Sequence, residues 1–199
     1  MRRDDLLDLF RRSGALLDGH FRLTSGLHSA SYLQCALVLQ HPRHAEALGS
    51  AIADLTRGLR PTLVLSPALG GVVIGHEVAR ALGGRAIFAE RQDGALTLRR
   101  GFMIGETDRV LVVEDVLTTG GSTKETMQVA TAAGGRVVGA ASIVDRSGPS
   151  TGSGRAGARF DVPFHSLLQI DVPTYEPGSC PLCAEGLPVV KPGSRPVAT

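Results

Sequence analysis

The sequence predicts an α/β domain with a mostly parallel central sheet flanked by helices. Three observations carry that prediction. Strand-length apolar runs alternate with helical patterns through the middle of the chain, as a parallel sheet with crossover helices requires. Residues 110–113 (VLVV) are apolar at every position, the mark of a strand buried on both faces. That run ends at two adjacent acids, Glu114 and Asp115, followed by a loop of hydroxyl and glycine residues. In open α/β sheets, the carboxyl edge of a strand is where ligands bind.

The elements follow in order. Leu6, Leu7, Leu9 and Phe10, then Leu16 and Leu17, are spaced as an opening helix and its continuation. Residues 19–40 alternate in part and turn at Ser25-Gly26, which predicts short strands forming a cap. Pro42 suits the first turn of a helix whose buried face is Leu48, Ala51, Ile52 and Leu55. Residues 62–66 form a strand closed by Pro67-Ala68-Leu69-Gly70-Gly71, and a helix runs from about 72 to 82. A strand at 85–89 leads into a hairpin over 91–100, turning at Asp93-Gly94. After the strand 109–114, a helix over 123–133 is stopped by Gly134-Gly135. A buried strand over 137–144 ends at Asp145-Arg146, and residues 147–157 are a low-complexity loop. Residues 164–170 form a final strand, and the chain from Pro173 reads as a tail with a Cys-Pro-Leu-Cys turn.

Size and composition set limits. A chain of 199 residues suits one substantial domain. With aromatics at 4% and no Trp, the core must be built from Leu, Val, Ile and Ala. A net charge of +2 is too small to argue for nucleic acid. Three cysteines make no disulfide framework. No apolar run reaches membrane-spanning length and no signal-peptide pattern opens the chain, so a cytoplasmic protein with no membrane partner is expected.

The chemistry centres on residues 114–123. Neighbours on an extended segment point to opposite faces, so Glu114 and Asp115 have different tasks. One accepts hydrogen bonds from sugar hydroxyls; the other orients it, or a hydrated magnesium ion. In the loop, Gly120 and Gly121 permit a tight turn. The hydroxyls of Thr118, Thr119, Ser122 and Thr123 and the backbone N–H groups at a helix start suit a phosphate. Acids for hydroxyls beside a phosphate nest suggest a sugar-phosphate ligand. The loop is not a Walker loop, and residues 70–75 (GGVVIG) lack dinucleotide-fingerprint spacing. On their own merits residues 68–71 read equally well as a plain strand-to-helix turn. The six histidines show no metal spacing and read as surface or packing residues. Cys180 and Cys183 could make half of a zinc site or a redox pair. With no second pair in the chain, a dimer would have to complete four ligands, and a tight turn is the plainer reading.

Residues 110–122 resemble the phosphoribosyl-pyrophosphate signature of the type I phosphoribosyltransferase family over its whole length, with Glu114 where Asp is commoner. Residues 21–34 (FRLTSGLHSASYLQ) are similar to the hood segment of that family's orotate-using members, through Phe21, Leu23, Ser25, Gly26, Ser29 and Tyr32. Asp145-Arg146 matches the segment whose arginine meets orotate. A planar guanidinium suits a carboxylate beside a carbonyl.

The resemblance implies a type I phosphoribosyltransferase fold, with one domain over 1–186 and a flexible tail over 187–199. The hood is drawn mainly from 1–40 and 160–186, and the core from about 43–150. It implies Glu114 and Asp115 on the ribose hydroxyls, and Leu117, Thr118, Thr119, Gly120, Gly121, Ser122 and Thr123 around the 5-phosphate. Ala68, Leu69, Gly70 and Gly71 face the pyrophosphate. Orotate lies among Phe21, Thr24, Tyr32, Thr118 and Arg146. His28 stands out among the histidines because it lies in the hood segment. The catalytic-loop region, residues 88–95, is short and holds neither lysine nor histidine. Arg91 is therefore the candidate catalytic cation, reaching the pyrophosphate within one chain or across a homodimer.

The reaction implied is magnesium-dependent displacement at the ribose anomeric carbon, giving orotidine 5'-monophosphate and pyrophosphate. Magnesium is held mainly by substrate oxygens. Two rivals share the acidic pair: a phosphoribosyltransferase for purines or another base, and a ligand-sensing, RNA-binding regulator on the same fold.

Overall fold

The computed structural model describes residues 1–23, 25–148 and 160–191. Its centre is a sheet of six strands, β3 (Leu63–Pro67), β4 (Arg85–Gln92), β5 (Ala95–Leu98), β6 (Arg109–Leu117), β7 (Arg136–Asp145) and β8 (Phe164–Gln169). They lie in the order β5-β4-β3-β6-β7-β8. Every pairing is parallel except that of β4 with β5. The helices α3 (Pro42–Thr56) and α4 (Gly70–Leu82) pack on one face, together with α1 (Arg3–Arg12), while α5 (Gly121–Ala132) packs on the other. The mostly parallel α/β architecture expected from the sequence is the one observed.

The parity of β6 shows why its sequence is apolar throughout. Leu111 and Val113 join Leu48, Ile52, Ile74 and Val78 in the core beneath α3 and α4. Val110 and Val112 join Leu63, Leu65 and Ala130 beneath α5. All four β6 residues are fully buried, each worth roughly 1.5–3 kcal/mol of apolar transfer free energy. The helices begin and end for local reasons. Pro42 occupies the first turn of α3. The α4 helix closes on Gly83 at φ 73°, and the Gly84 N–H reaches back to the Ala79 carbonyl.

A smaller antiparallel sheet makes the hood. It contains β1 (Leu16–Arg22), β2 (His28–Leu33) and β9 (Thr174–Tyr175), in that order. A short helix, α2 (Ala36–Leu39), connects it to α3, and another, α6 (Pro181–Ala184), follows β9.

Several boundaries depart from expectation. Leu16 and Leu17 do not continue α1; they pair with Leu33 and Tyr32 across β1 and β2. Gly14, at φ 69°, breaks the helix before them. The cap segment ends in α2, not a strand. Leu55 is 47% exposed, while Ala45, Gly49 and Ala53 help to form the buried face of α3. The β6 strand runs on through the acids to Leu117, and α4 and α5 start at Gly70 and Gly121. Residues 174–191 are folded onto the hood. Val190 accepts a hydrogen bond from the Arg22 N–H and donates its own N–H to the His20 carbonyl, at 2.9 and 2.8 Å.

Candidate active site at the carboxyl edge of the sheet

The alternation that buries residues 110–113 continues into the acids. Glu114 follows Val110 and Val112 toward α5, and its two carboxylate oxygens accept hydrogen bonds from the Ser122 and Thr123 hydroxyls. Asp115 follows Leu111 and Val113 toward α4. A methyl group placed on Gly70 would lie 2.7 Å from both Asp115 carboxylate oxygens. Asp115 also borders a cleft of about 380 Å³ shared with Gln34, Leu39, Leu69, Gly70 and Val73. Burial raises both carboxyls above their ordinary range. For Glu114 the charge of Asp115 adds to that rise, against the two hydroxyl bonds. For Asp115 the backbone N–H of Val116, at 2.9 Å, opposes it.

The two glycine-bearing turns take different forms. Gly120 sits at φ 80°, a conformation open to glycine, and turns the chain directly into α5. The first N–H groups of a helix have no partner within it, so those of Gly121, Ser122 and Thr123 stand at the head of α5. Thr118 and Thr119 are exposed beside them. Ser122 and Thr123, expected as phosphate donors, direct their hydroxyls to Glu114 instead. At the other turn the Ala68–Leu69 peptide is cis, and Leu69 is 86% exposed. Gly71 packs beneath it, where a Cβ would meet the Val113 carbonyl oxygen at 2.9 Å.

Arg146 is the unusual cation. It follows β7 and is tied through its N–H to the Leu117 carbonyl at 2.8 Å. Its guanidinium is largely buried beside Cys35 and Tyr32, and burial lowers its pKa. Its Nε is buried with no hydrogen-bond partner. Asp145 shapes the turn that presents it, accepting bonds from the N–H and hydroxyl of Ser147. Tyr32 in turn touches Phe21, ring centres 5.8 Å apart. Phe21 is itself buried in the hood and covers Gly19. Thr24 lies outside the described residues.

Arg91 stands on the β4–β5 hairpin, whose turn is Asp93-Gly94 as expected. It forms an ion pair with Glu125 of α5 at 2.8 Å and donates to the Gly94 carbonyl. Glu125 also accepts the Leu96 N–H at 2.7 Å, so one carboxylate pins both the arginine and the hairpin. Reaching a ligand would require Arg91 to leave Glu125. Arg100 is likewise paired, with Glu90. The sequence signalled Arg91 by its charge but not its partner, which lies 34 residues away.

Two of the six histidines are brought into one cluster. His20 and His28 are buried and converge with Cys180 and Cys183. No sequence spacing signals this, because the two pairs come from opposite ends of the chain.

Comparison with known proteins defines the class first. Residues 36–151, more than half the chain, match the phosphoribosyl transferase domain, and the acidic pair and its loop lie within that span. The chain is 52% identical over 198 residues to the orotate phosphoribosyltransferase of Heliobacterium modesticaldum, covering 98% of this chain and all of the relative. It is 50% identical to that of Pelotomaculum thermopropionicum, covering 99% and 100%. A solved orotate phosphoribosyltransferase of Mycobacterium tuberculosis, in complex with 5-phospho-α-D-ribosyl 1-diphosphate, superimposes with a TM-score of 0.64 at 27% identity, covering 84% of this chain and 95% of that one. The chain belongs to the orotate phosphoribosyltransferase family. Full-length similarity to orotate enzymes sets aside the purine-base and regulator readings. Among the described residues, no helix is long and apolar enough to cross a membrane.

Proposed function

We propose how this chain carries out its family's reaction. The chain transfers the 5-phosphoribosyl group from phosphoribosyl pyrophosphate to orotate, giving orotidine 5'-monophosphate and pyrophosphate. The observation that carries the orotate assignment is Arg146, a largely buried guanidinium whose Nε has no partner. An unpaired buried donor is costly, and a carboxylate beside a ring carbonyl removes that cost with charge-assisted bonds. Tyr32, beside it, lines the base side; Phe21 supports Tyr32 from behind, and Thr118 completes the rim.

The two acids divide the work. Asp115, facing the cleft, accepts hydrogen bonds from the ribose hydroxyls. Glu114 is a positioning group that holds Ser122 and Thr123, and with them the loop, in place. Leu117, Thr118, Thr119, Gly120 and Gly121 wrap the 5-phosphate at the head of α5. Ala68, Leu69, Gly70 and Gly71 face the pyrophosphate, and Arg91 joins them after exchanging Glu125 for the ligand.

Magnesium fits this edge, since the donors near the cleft are hard oxygens and Asp115 offers a carboxylate toward Gly70. When bound, the ion neutralises charge on the departing pyrophosphate. The chain's own contribution is placement: two reactants held in line at the anomeric carbon, with few acid–base groups needed.

The protein works in the cytoplasm as a homodimer, and Arg91 reaches the pyrophosphate either within its own chain or across the interface. No nucleic-acid or membrane partner is part of the reading. The test is magnesium-dependent consumption of orotate, uracil, hypoxanthine, guanine and adenine with phosphoribosyl pyrophosphate. Turnover of orotate alone is expected, and turnover of another base would remove the Arg146 assignment. Mixing Arg91→Ala and Arg146→Ala proteins tests sharing. Hybrid dimers recover activity if Arg91 acts across the interface and do not if it acts within one chain.

A further inference from the structure

We propose that His20, His28, Cys180 and Cys183 form a structural zinc site that staples the two ends of the chain together across the hood. His20 is near the end of β1, His28 opens β2, Cys180 immediately precedes α6 and Cys183 lies within it. One ligand atom from each, the His20 Nε2, the His28 Nδ1 and the two Sγ atoms, lies within 4.8 Å of all the others.

The separations suit a tetrahedron. With Zn–S near 2.3 Å and Zn–N near 2.0–2.1 Å, sulfur-to-nitrogen edges are about 3.5 Å and the nitrogen-to-nitrogen edge about 3.3 Å. Cys180 Sγ is 3.6 Å and Cys183 Sγ 3.7 Å from His20 Nε2, and Cys183 Sγ is 3.3 Å from His28 Nδ1. His20 Nε2 and His28 Nδ1 are 2.8 Å apart, so a small ring rotation opens that edge to metal-binding length.

Surrounding groups favour a metal as well. The His20 Nδ1 lies 2.8 Å from the Leu187 carbonyl oxygen. A carbonyl only accepts, so Nδ1 carries the hydrogen and Nε2 turns its lone pair toward the other three ligands. This backbone-oriented imidazole is the usual outer partner of a zinc-bound histidine. Two thiolates and two neutral imidazoles balance a divalent charge, which suits a site whose His20, His28 and Cys180 are 3%, 7% and 4% exposed. Cys183 is exposed and gives the ion an entry path. Sulfur and imidazole donors select zinc over magnesium, so the site is chemically separate from the oxygen-lined cleft at Asp115 and shares no residue with it.

Its consequence is mechanical. His20 and Cys180 are 160 residues apart, so the ion closes nearly the whole chain into one loop and holds the C-terminal segment against the β1–β2 hairpin. Binding energy at such a site is folding energy for the elements it joins. Those elements carry Phe21, one residue after His20, and Ser29, one residue after His28, whose hydroxyl donates to the Pro173 carbonyl.

The experiment uses the full chain, purified without chelator or an affinity tag that binds metal. Metal content is measured by mass spectrometry, then the stripped protein is titrated with Co2+ and followed by absorption. One zinc per chain is expected. So are the intense visible bands of tetrahedral cobalt and a thiolate-to-cobalt charge-transfer band. Cys183→Ser should weaken zinc at least about 100-fold and remove part of the charge-transfer intensity. Stripping the metal should speed amide exchange in β1 and β2 and leave β6 unchanged. Wild-type protein that carries no zinc and shows no charge-transfer band overturns the proposal, whatever the variants do. So does a Cys180–Cys183 disulfide in the metal-free protein as purified, or zinc bound equally well by the Cys180→Ser/Cys183→Ser double variant.

Discussion

Arg146 and Asp115 bring opposite charges to one edge of the sheet, and burial disfavours the charged form of both. The proposed ligand contacts would relieve that cost, so each residue should be worth more to binding than to the empty fold. Arg146→Ala should lower kcat/KM for orotate by about 10- to 100-fold, the loss of one or two charge-assisted bonds, and leave the KM for phosphoribosyl pyrophosphate nearly unchanged. Steady-state kinetics with each substrate varied checks it; an equal loss for both would mean a structural arginine. Asp115 gives a pH prediction. Its raised carboxyl, like that of Glu114, holds its proton above the usual carboxylate range. The acid limb of kcat/KM should therefore lie above that range. In the same window the native state binds more protons than the unfolded state, so this contribution to stability falls as pH rises through it. Asp115→Asn removes the burial cost at pH 7. It should cut kcat about 100-fold or more without lowering Tm. Gly70→Ala attacks the same group by contact, its methyl 2.7 Å from both carboxylate oxygens. The acids were legible in the sequence because strand parity assigns them to opposite faces. The Ser122 and Thr123 bonds to Glu114 and the Arg91 pair with Glu125 were not, because contacts across a loop and between elements leave no periodic trace.

At the scale of elements, the core strands were readable because burial on both faces demands unbroken apolar runs, as in β6. The β1 strand was not. Leu16 and Leu17 satisfy a helical spacing as readily as a strand, and only pairing with Leu33 and Tyr32 settles it. The hairpin at Asp93-Gly94 was readable because both residues take φ near +50 to +90° there, which their types tolerate. Packing of α3 on α4 depends on a glycine whose role no local pattern shows. A Cβ on Gly49 would lie 2.5 Å from the Glu77 Cβ and 2.8 Å from its backbone carbon. The helix axes must separate to admit it, so Gly49→Ala should cost about 1–3 kcal/mol. At about 2–4 °C per kcal/mol for a chain of this size, calorimetry should show a Tm drop of several degrees. Because the crossing is remote from Asp115, kcat should hold below the melting range; an unchanged Tm would mean that the helices adjust freely.

Across the whole molecule, the hood is assembled from both ends of the chain while the sheet edge that carries the acidic pair is built from its middle. The hood meets the core through α1, whose Leu6 and Phe10 share one apolar cluster with Leu48 and Ile143. It is closed on the other side by the C-terminal segment, where Val190 bridges the His20 carbonyl and the Arg22 N–H around Phe21. Phe21 touches Tyr32 and Tyr32 neighbours Arg146, so this segment supports the side proposed for orotate and not the side proposed for the phosphate. A chain ending at Leu187 keeps Cys180, Cys183 and the Leu187 carbonyl but loses both Val190 bonds. At about 0.5–1.5 kcal/mol per bond, local opening of β1 should rise about 5- to 150-fold. Hydrogen exchange should then show faster loss at the Arg22 amide and no change along β6, with a raised KM for orotate and an unaltered KM for phosphoribosyl pyrophosphate. Uniformly faster exchange over both sheets would instead mean that the segment stabilises the domain as one cooperative unit, and both KM values would then be expected to move together.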